Sequence, residues 1–169
     1  MKYTLPLIWI IFFIIFDNKE LGYSNTSPIY THITYIFAHA GLMHLLLNSL
    51  SFIYVYQGLK HYNLTRQSLI ISFVIGIAAS FLSAYDTPTV GASGMIFAML
   101  GCYITTAGFT NQQMRRILVT IFLSLTIPML IPGINYKIHI LSFTAGLTVT
   151  YIADQIKTKC KQKEGIIRK

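Results

Sequence analysis

The sequence predicts an all-α, polytopic membrane protein folded as a bundle of six transmembrane helices, and three observations predict it. Of the 169 residues, 54% are apolar and only 11% charged, and mean hydropathy is positive, outside the range of ordinary soluble domains. Apolar stretches recur at about 4–16, 40–59, 68–84, 92–108, 114–131 and 138–156, separated by turns carrying charge, Pro, Asn or Gly. With six spans, eleven of the thirteen Lys and Arg residues fall on one side of the bilayer. A spanning helix needs about 20 apolar residues, so the chain is expected to be one membrane domain over residues 1–169, with a basic cytoplasmic tail at 157–169.

The first span follows Lys2 and runs through Leu5 to Phe16, which resembles a signal-peptide core. Asp17-Asn18-Lys19-Glu20 supplies no small-residue cleavage site, so this segment is expected to stay as a short first helix. Residues 17–38 form the only long connection, and their aromatic and Thr content suits a partly buried or interfacial excursion. Spans 2 to 6 then follow with short turns. Lys2, Lys60, Arg66, Arg115, Arg116 and the six basic residues after Asp154 share one side, and only Lys19 and Lys137 fall on the other. The positive-inside rule then puts both termini in the cytoplasm of a cell (plasma or inner) membrane. Spans 2, 4 and 6 begin at the outer face.

A net charge of +8 raises the question of nucleic acid, but the basic residues sit at segment ends and in the tail, not in a patch interleaved with aromatics. They read as topology signals, so no nucleic-acid partner is expected. Cys102 in an apolar span and Cys160 in the tail are too far apart to pair. His44 and His139 have no nearby carboxylate or thiolate and no His-Glu-x-x-His string exists, so neither a metal nor another cofactor is expected.

Polar groups inside spans are costly and serve as bundle contacts or as function. Four gather at one outer depth: His44 and Asn48 near the start of span 2, Ser93 opening span 4 and His139 opening span 6. Each alone has a plainer reading, Ser93 as a small packing residue and His139 as a hydrogen-bonded structural group; His39 reads as steadying the entry to span 2. Together they gain weight from the small residues that follow, Gly94, Ala98 and Gly101 on span 4 and Ser142 and Gly146 on span 6. Such stripes let helix backbones approach closely, which would bring the serine hydroxyl within about 3 Å of the imidazole that removes its proton. His44 and Asn48, four apart, share a helix face. With the Ser93 backbone N–H they are candidate donors to an oxyanion. No acid is placed to orient His139, since Asp86 lies in a loop and Asp154 near the opposite face, so a dyad is expected instead of a triad.

Three motifs then resemble the rhomboid family of intramembrane serine proteases, in its compact six-helix bacterial form, from about Ile33 to Ala153. Thr34 to Asn48 resembles the second-helix segment, whose later His and Asn stabilise the oxyanion. Val90-Gly91-Ala92-Ser93-Gly94-Met95-Ile96-Phe97 resembles the nucleophile motif, and His139-Ile140-Leu141-Ser142-Phe143-Thr144-Ala145-Gly146 the motif carrying the general base. The resemblance implies an endopeptidase without a cofactor, acting on single-pass membrane proteins that enter sideways near span 5 and the loop before span 6. It implies a cut near the outer membrane boundary, with Phe97 packed on the histidine ring. Two departures stand out: Tyr30-Thr31 replaces the family's Trp-Arg pair, removing an expected anchor of the first loop, and Leu141-Ser142 replaces two glycines after the histidine. The alternative readings are a rhomboid-like protein that binds transmembrane segments without cutting, and a small transporter, for which no inverted repeat is visible. Substrate identity and oligomeric state are not legible.

Overall fold

The computed structural model describes residues 2–167 apart from 84, 108 and 132, with the backbone alone from 161. Residues 84 and 108, where two predicted spans end, and 168–169 of the tail lie outside the described residues. The described chain is helical: α1 (Thr4–Ile15), α2 (Thr31–Thr34), α3 (Leu42–His61), α4 (Thr65–Leu82), α5 (Ser93–Thr106), α6 (Asn111–Thr126) and α7 (Tyr136–Ile167). A 3-10 turn, Ile127–Leu130, continues α6. The only β feature among the described residues is an isolated antiparallel bridge between Tyr23 and Thr89.

Among the described residues six of the seven α-helices overlap the apolar segments read from the sequence, and α2 is an added single turn in the long first connection. Two elements, Thr65–Leu82 and Asn111–Leu130, are long and apolar enough to cross a membrane by themselves. The apolar helices α1 and α5 are shorter, at 12 and 14 residues, and α3 has the length but carries His44, Asn48, Gln57 and Lys60.

Local chemistry explains the boundaries. The end of α3 is a left-handed cap: Asn63 takes φ 57°, and the N–H groups of Asn63 and Leu64 donate to the carbonyls of Lys60 and Leu59. Asn tolerates this conformation better than other side-chain-bearing residues. At α6 the Thr110 hydroxyl accepts from the Gln113 N–H while the Gln113 side chain accepts from Thr110 N–H, a reciprocal cap. That cap starts the helix at Asn111, ahead of the predicted 114, because polar Asn111, Gln112 and Gln113 carry no hydropathy signal. At the other end α7 continues past the predicted 156 to Ile167. Lysines near a helix C-terminus are good helix formers and oppose the negative end of the helix dipole.

The core is built around α5, which packs along α7 for most of its length and also touches α4 and α3. Close approach of α5 and α7 rests on glycine: a Cβ on Gly101 would come within 2.5 Å of the Phe143 carbonyl and 2.7 Å of the Leu147 nitrogen, and one on Gly146 would strike the Ala98 backbone. Trp9 on α1 is fully buried and meets Phe52 of α3 edge-on at 5.4 Å. By contrast α6 makes few contacts with the rest of the molecule, and Leu118, Val119, Phe122 and Leu123 stand exposed along it.

Candidate active site

The segment leading into α5 is held from both sides by the first loop. Tyr23 and Thr89 exchange both backbone hydrogen bonds, at 3.1 and 2.8 Å, and Gly91 N–H donates to the Tyr35 carbonyl at 2.9 Å. Tyr35, fully buried, donates its hydroxyl to the Gly76 carbonyl of α4 at 2.9 Å. This clamp turns the chain at Gly91, whose φ of +118° is a conformation that L side chains rarely adopt. Ser93 follows as the first residue of α5, where backbone N–H groups are left without helical partners and the helix dipole is positive.

His139 is the fourth residue of α7, and its Nε2 lies 2.9 Å from Ser93 Oγ. The imidazole is stacked on Phe97, one turn after Ser93, with centroids 4.7 Å apart and planes inclined 25°. Its other nitrogen, Nδ1, is buried with no partner among the described residues. A hydroxyl and an imidazole nitrogen at hydrogen-bond distance, with the ring held by an aromatic face, form a pair able to pass a proton.

His44 and Asn48 come to the same place from α3. A Cβ built on Gly91 would lie 2.8 Å from His44 Nε2 and 3.3 Å from Asn48 Nδ2, so both groups face the turn two residues ahead of Ser93. Ala40 N–H donates to His44 Nδ1 at 3.4 Å, and a neutral imidazole accepting there carries its proton on Nε2, the nitrogen facing the turn. Asn48 Nδ2 is buried and has no acceptor among the described residues. An unpaired buried donor costs free energy, and the Asn48 amide, with the half-buried His44 Nε2 beside it, suits an anion that forms next to the serine. His39 is fully buried between Trp9, at 5.6 Å, and His44, at 5.4 Å, with its backbone N–H donating to Asn18 Oδ1. It thus ties the end of α1 to the entry of α3. A cavity of about 590 Å³ opens beside it, lined by Phe13, Phe16, Asn18, Ala40, Pro88 and Val90.

The departures noted in the sequence have local answers. Thr31 is buried and bonded to the Pro28 carbonyl, and its neighbour His32 stacks on Phe81 at 3.9 Å and bonds to Ser80 Oγ at 2.8 Å. The first loop is therefore anchored to α4 by His32, a residue the sequence reading passed over, in place of the absent Trp-Arg pair. Ser142 is fully buried, small enough for the α5–α7 contact, and Leu141 packs on the core. Sequence reading also missed Asn135 and Tyr23. Asn135 Nδ2 lies 2.6 Å from the Ser83 carbonyl, 3.1 Å from Tyr23 Oη and 3.0 Å from Thr89 Oγ1. Burial pushes the Tyr23 phenol up to about 12, which keeps it neutral and donating. The available signal was a helix-capping residue type just ahead of a span histidine.

The chain is 29% identical over 154 residues to a protein of Acanthamoeba polyphaga mimivirus named as a rhomboid protein, covering 86% of this chain and 88% of the relative. A Bacillus subtilis protein named as a rhomboid protease, YdcA, is 27% identical over 136 residues, covering 75% of this chain and 68% of the relative. The family model described as the Rhomboid domain matches residues 26–155, which include Ser93, His139, His44 and Asn48, and the chain therefore belongs to the rhomboid family.

Proposed function

We propose that this chain is an intramembrane serine endopeptidase that cuts single-pass membrane proteins by a Ser93–His139 dyad. The observation that carries the proposal is the 2.9 Å separation of Ser93 Oγ and His139 Nε2 at the point where His44 and Asn48 converge. Ser93 Oγ attacks the scissile carbonyl carbon as its proton passes to His139 Nε2, the imidazole carrying its other proton on Nδ1. The oxyanion is held by His44 Nε2–H, Asn48 Nδ2–H and the Ser93 backbone N–H. Collapse expels the amine, which takes the proton from His139. Water, deprotonated by the same nitrogen, then releases the acyl group from Ser93.

In this reading the whole chain, residues 1–169, is one membrane domain of six spans, α1 and α3 to α7, with both termini cytoplasmic and the site opening outward. The order of the apolar helices and the Lys and Arg distribution support it, as do the exposed apolar faces of α1, α4 and α6. The substrate segment enters beside α6, the helix least tied to the rest, and is cut near the outer boundary without a cofactor.

The test is cleavage of a designed single-pass substrate by the purified protein in lipid, comparing wild type with Ser93→Ala and His139→Ala. Cutting by wild type alone is expected. Persistent cutting in both variants would reject the dyad, and binding of substrate segments with no cutting by any form would establish a non-cutting rhomboid-like binder instead.

A further inference from the structure

The glycine contacts between α5 and α7 bring the two backbones close, and Ile138 packed at Gly94 and the His139 ring stacked on Phe97 hold them side by side, but apolar contacts such as these carry little directional preference. A slip of one residue turns a helical side chain by about 100° and moves it about 1.5 Å, enough to lose a bond of 2.9 Å between Ser93 and His139. A directional hydrogen bond just ahead of His139 sharpens the register that apolar packing leaves loose.

Asn135 is the residue immediately before α7, four ahead of His139, and is 4% exposed. Its Nδ2 reaches three elements: the end of α4 through the Ser83 carbonyl, the first loop through Tyr23 Oη, and the segment into Ser93 through Thr89 Oγ1. Two N–H groups serve these three oxygens, one donating to the Ser83 carbonyl and the other shared between the Tyr23 and Thr89 oxygens. Ser83 Oγ donates to the Ala79 carbonyl, so it accepts from Tyr23 Oη–H at 3.0 Å, and the Tyr23 oxygen accepts from Asn135. A carbonyl 2.6 Å from the amide requires the N–H end there, which excludes the flipped amide. Thr89, through its own backbone pairing with Tyr23, lies four residues before Ser93. One amide thus joins the chain four residues before the serine to the chain four residues before the histidine.

We infer that Asn135 is a positioning residue: its side-chain amide, fixed between Ser83, Tyr23 and Thr89, sets the register of α7 on α5 and so holds His139 on Ser93. The inference rests on the dyad reading above, and its effect is on the rate of proton transfer from Ser93 rather than on substrate binding. Asn135→Ala removes both N–H groups. Asn135→Asp keeps the shape but, as a carboxylate, has no proton to give the Ser83 carbonyl 2.6 Å away, although the Tyr23 and Thr89 hydroxyls can turn to donate to it. A carboxyl buried there titrates well above its usual value of about 3.9, and once protonated it donates one of the lost bonds.

The experiment uses the full-length protein in lipid, a fluorophosphonate probe that labels an activated serine, and the designed substrate, below the temperature at which each variant begins to unfold. In Asn135→Ala, labelling rate and kcat are expected to fall about 10- to 100-fold, the range for a displacement of about 1 Å, with KM within about twofold. The activity of Asn135→Asp relative to wild type is expected to rise as pH is lowered. Tyr23→Phe, which removes one acceptor and leaves the ring, is expected to lose activity in the same sense and serves where Asn135→Ala does not fold. Wild-type labelling and kcat in Asn135→Ala would overturn the inference, as would a loss that disappears once the variant is fully folded or a pH-independent ratio for Asn135→Asp. A wild type that is not labelled at Ser93 would instead remove the dyad reading itself.

Discussion

Gly91 is the residue where backbone and site constraints coincide. Its φ of +118° already strains any other residue, and a Cβ there would press on the His44 ring at 2.6 Å. Gly91→Ala is expected to destabilise the fold by about 1–3 kcal/mol and to displace His44, a proposed oxyanion donor, lowering kcat by about 100-fold or more; thermal unfolding and cleavage rate check the two effects. Asn48 gives the opposite signature. Its Nδ2 is buried without an acceptor among the described residues, so Asn48→Leu, apolar and close in shape, is expected to leave the unfolding temperature unchanged or raised while kcat drops by about 10²–10³ and KM stays near its starting value. A loss of stability in step with activity would show that Asn48 is a packing residue. Both residues belong to motifs visible in the sequence, yet the φ at Gly91 and the empty donor on Asn48 are three-dimensional facts.

At the scale of elements, the pair α5 and α7 carries the site. Gly146 sits against the Ala98 backbone, and backbone cannot step aside as a flexible side chain can. Gly146→Ala is expected to push the helices apart, costing about 1–3 kcal/mol and at least about tenfold in kcat by lengthening the Ser93–His139 bond. The check is to compare it with Gly133→Ala, where a Cβ meets nothing but φ is +82°. That variant is expected to lose only backbone strain and to keep its kcat. The small-residue stripe that predicts this contact is readable at helical spacing. Helix ends were less readable, because the caps at Thr110 and Asn63 are polar or conformational signals that hydropathy does not register. The anchor of the first loop was missed for a related reason: His32 and Phe81 are far apart in sequence and meet only once the loop folds back on α4.

For the whole molecule, the proposed orientation has a chemical handle in the two free cysteines. Cys160 is exposed on the extension of α7, which the proposed orientation puts in the cytoplasm, and Cys102 is buried at 1% exposure. A membrane-impermeant maleimide is expected to leave intact cells unlabelled and to modify Cys160 alone once the cytoplasmic face is opened, with Cys160→Ser abolishing the signal. Labelling of Cys160 from outside would invert the topology and place the site on the cytoplasmic side.

Composition, span spacing and the placement of Lys and Arg by themselves determined a helical chain with apolar segments of membrane type, because transfer free energy depends on residue content and not on partners. Motif order and spacing also determined which four side chains to watch, since helical periodicity alone puts His44 beside Asn48 and small residues behind Ser93 and His139. Only the tertiary structure decided that Ser93 and His139 stand at hydrogen-bond distance, that Gly91 turns under a clamp from the first loop, and that Asn135 joins four elements. Those features depend on contacts between residues from 46 to 112 positions apart, whose geometry arises from packing the helices against one another and is not encoded in any local pattern.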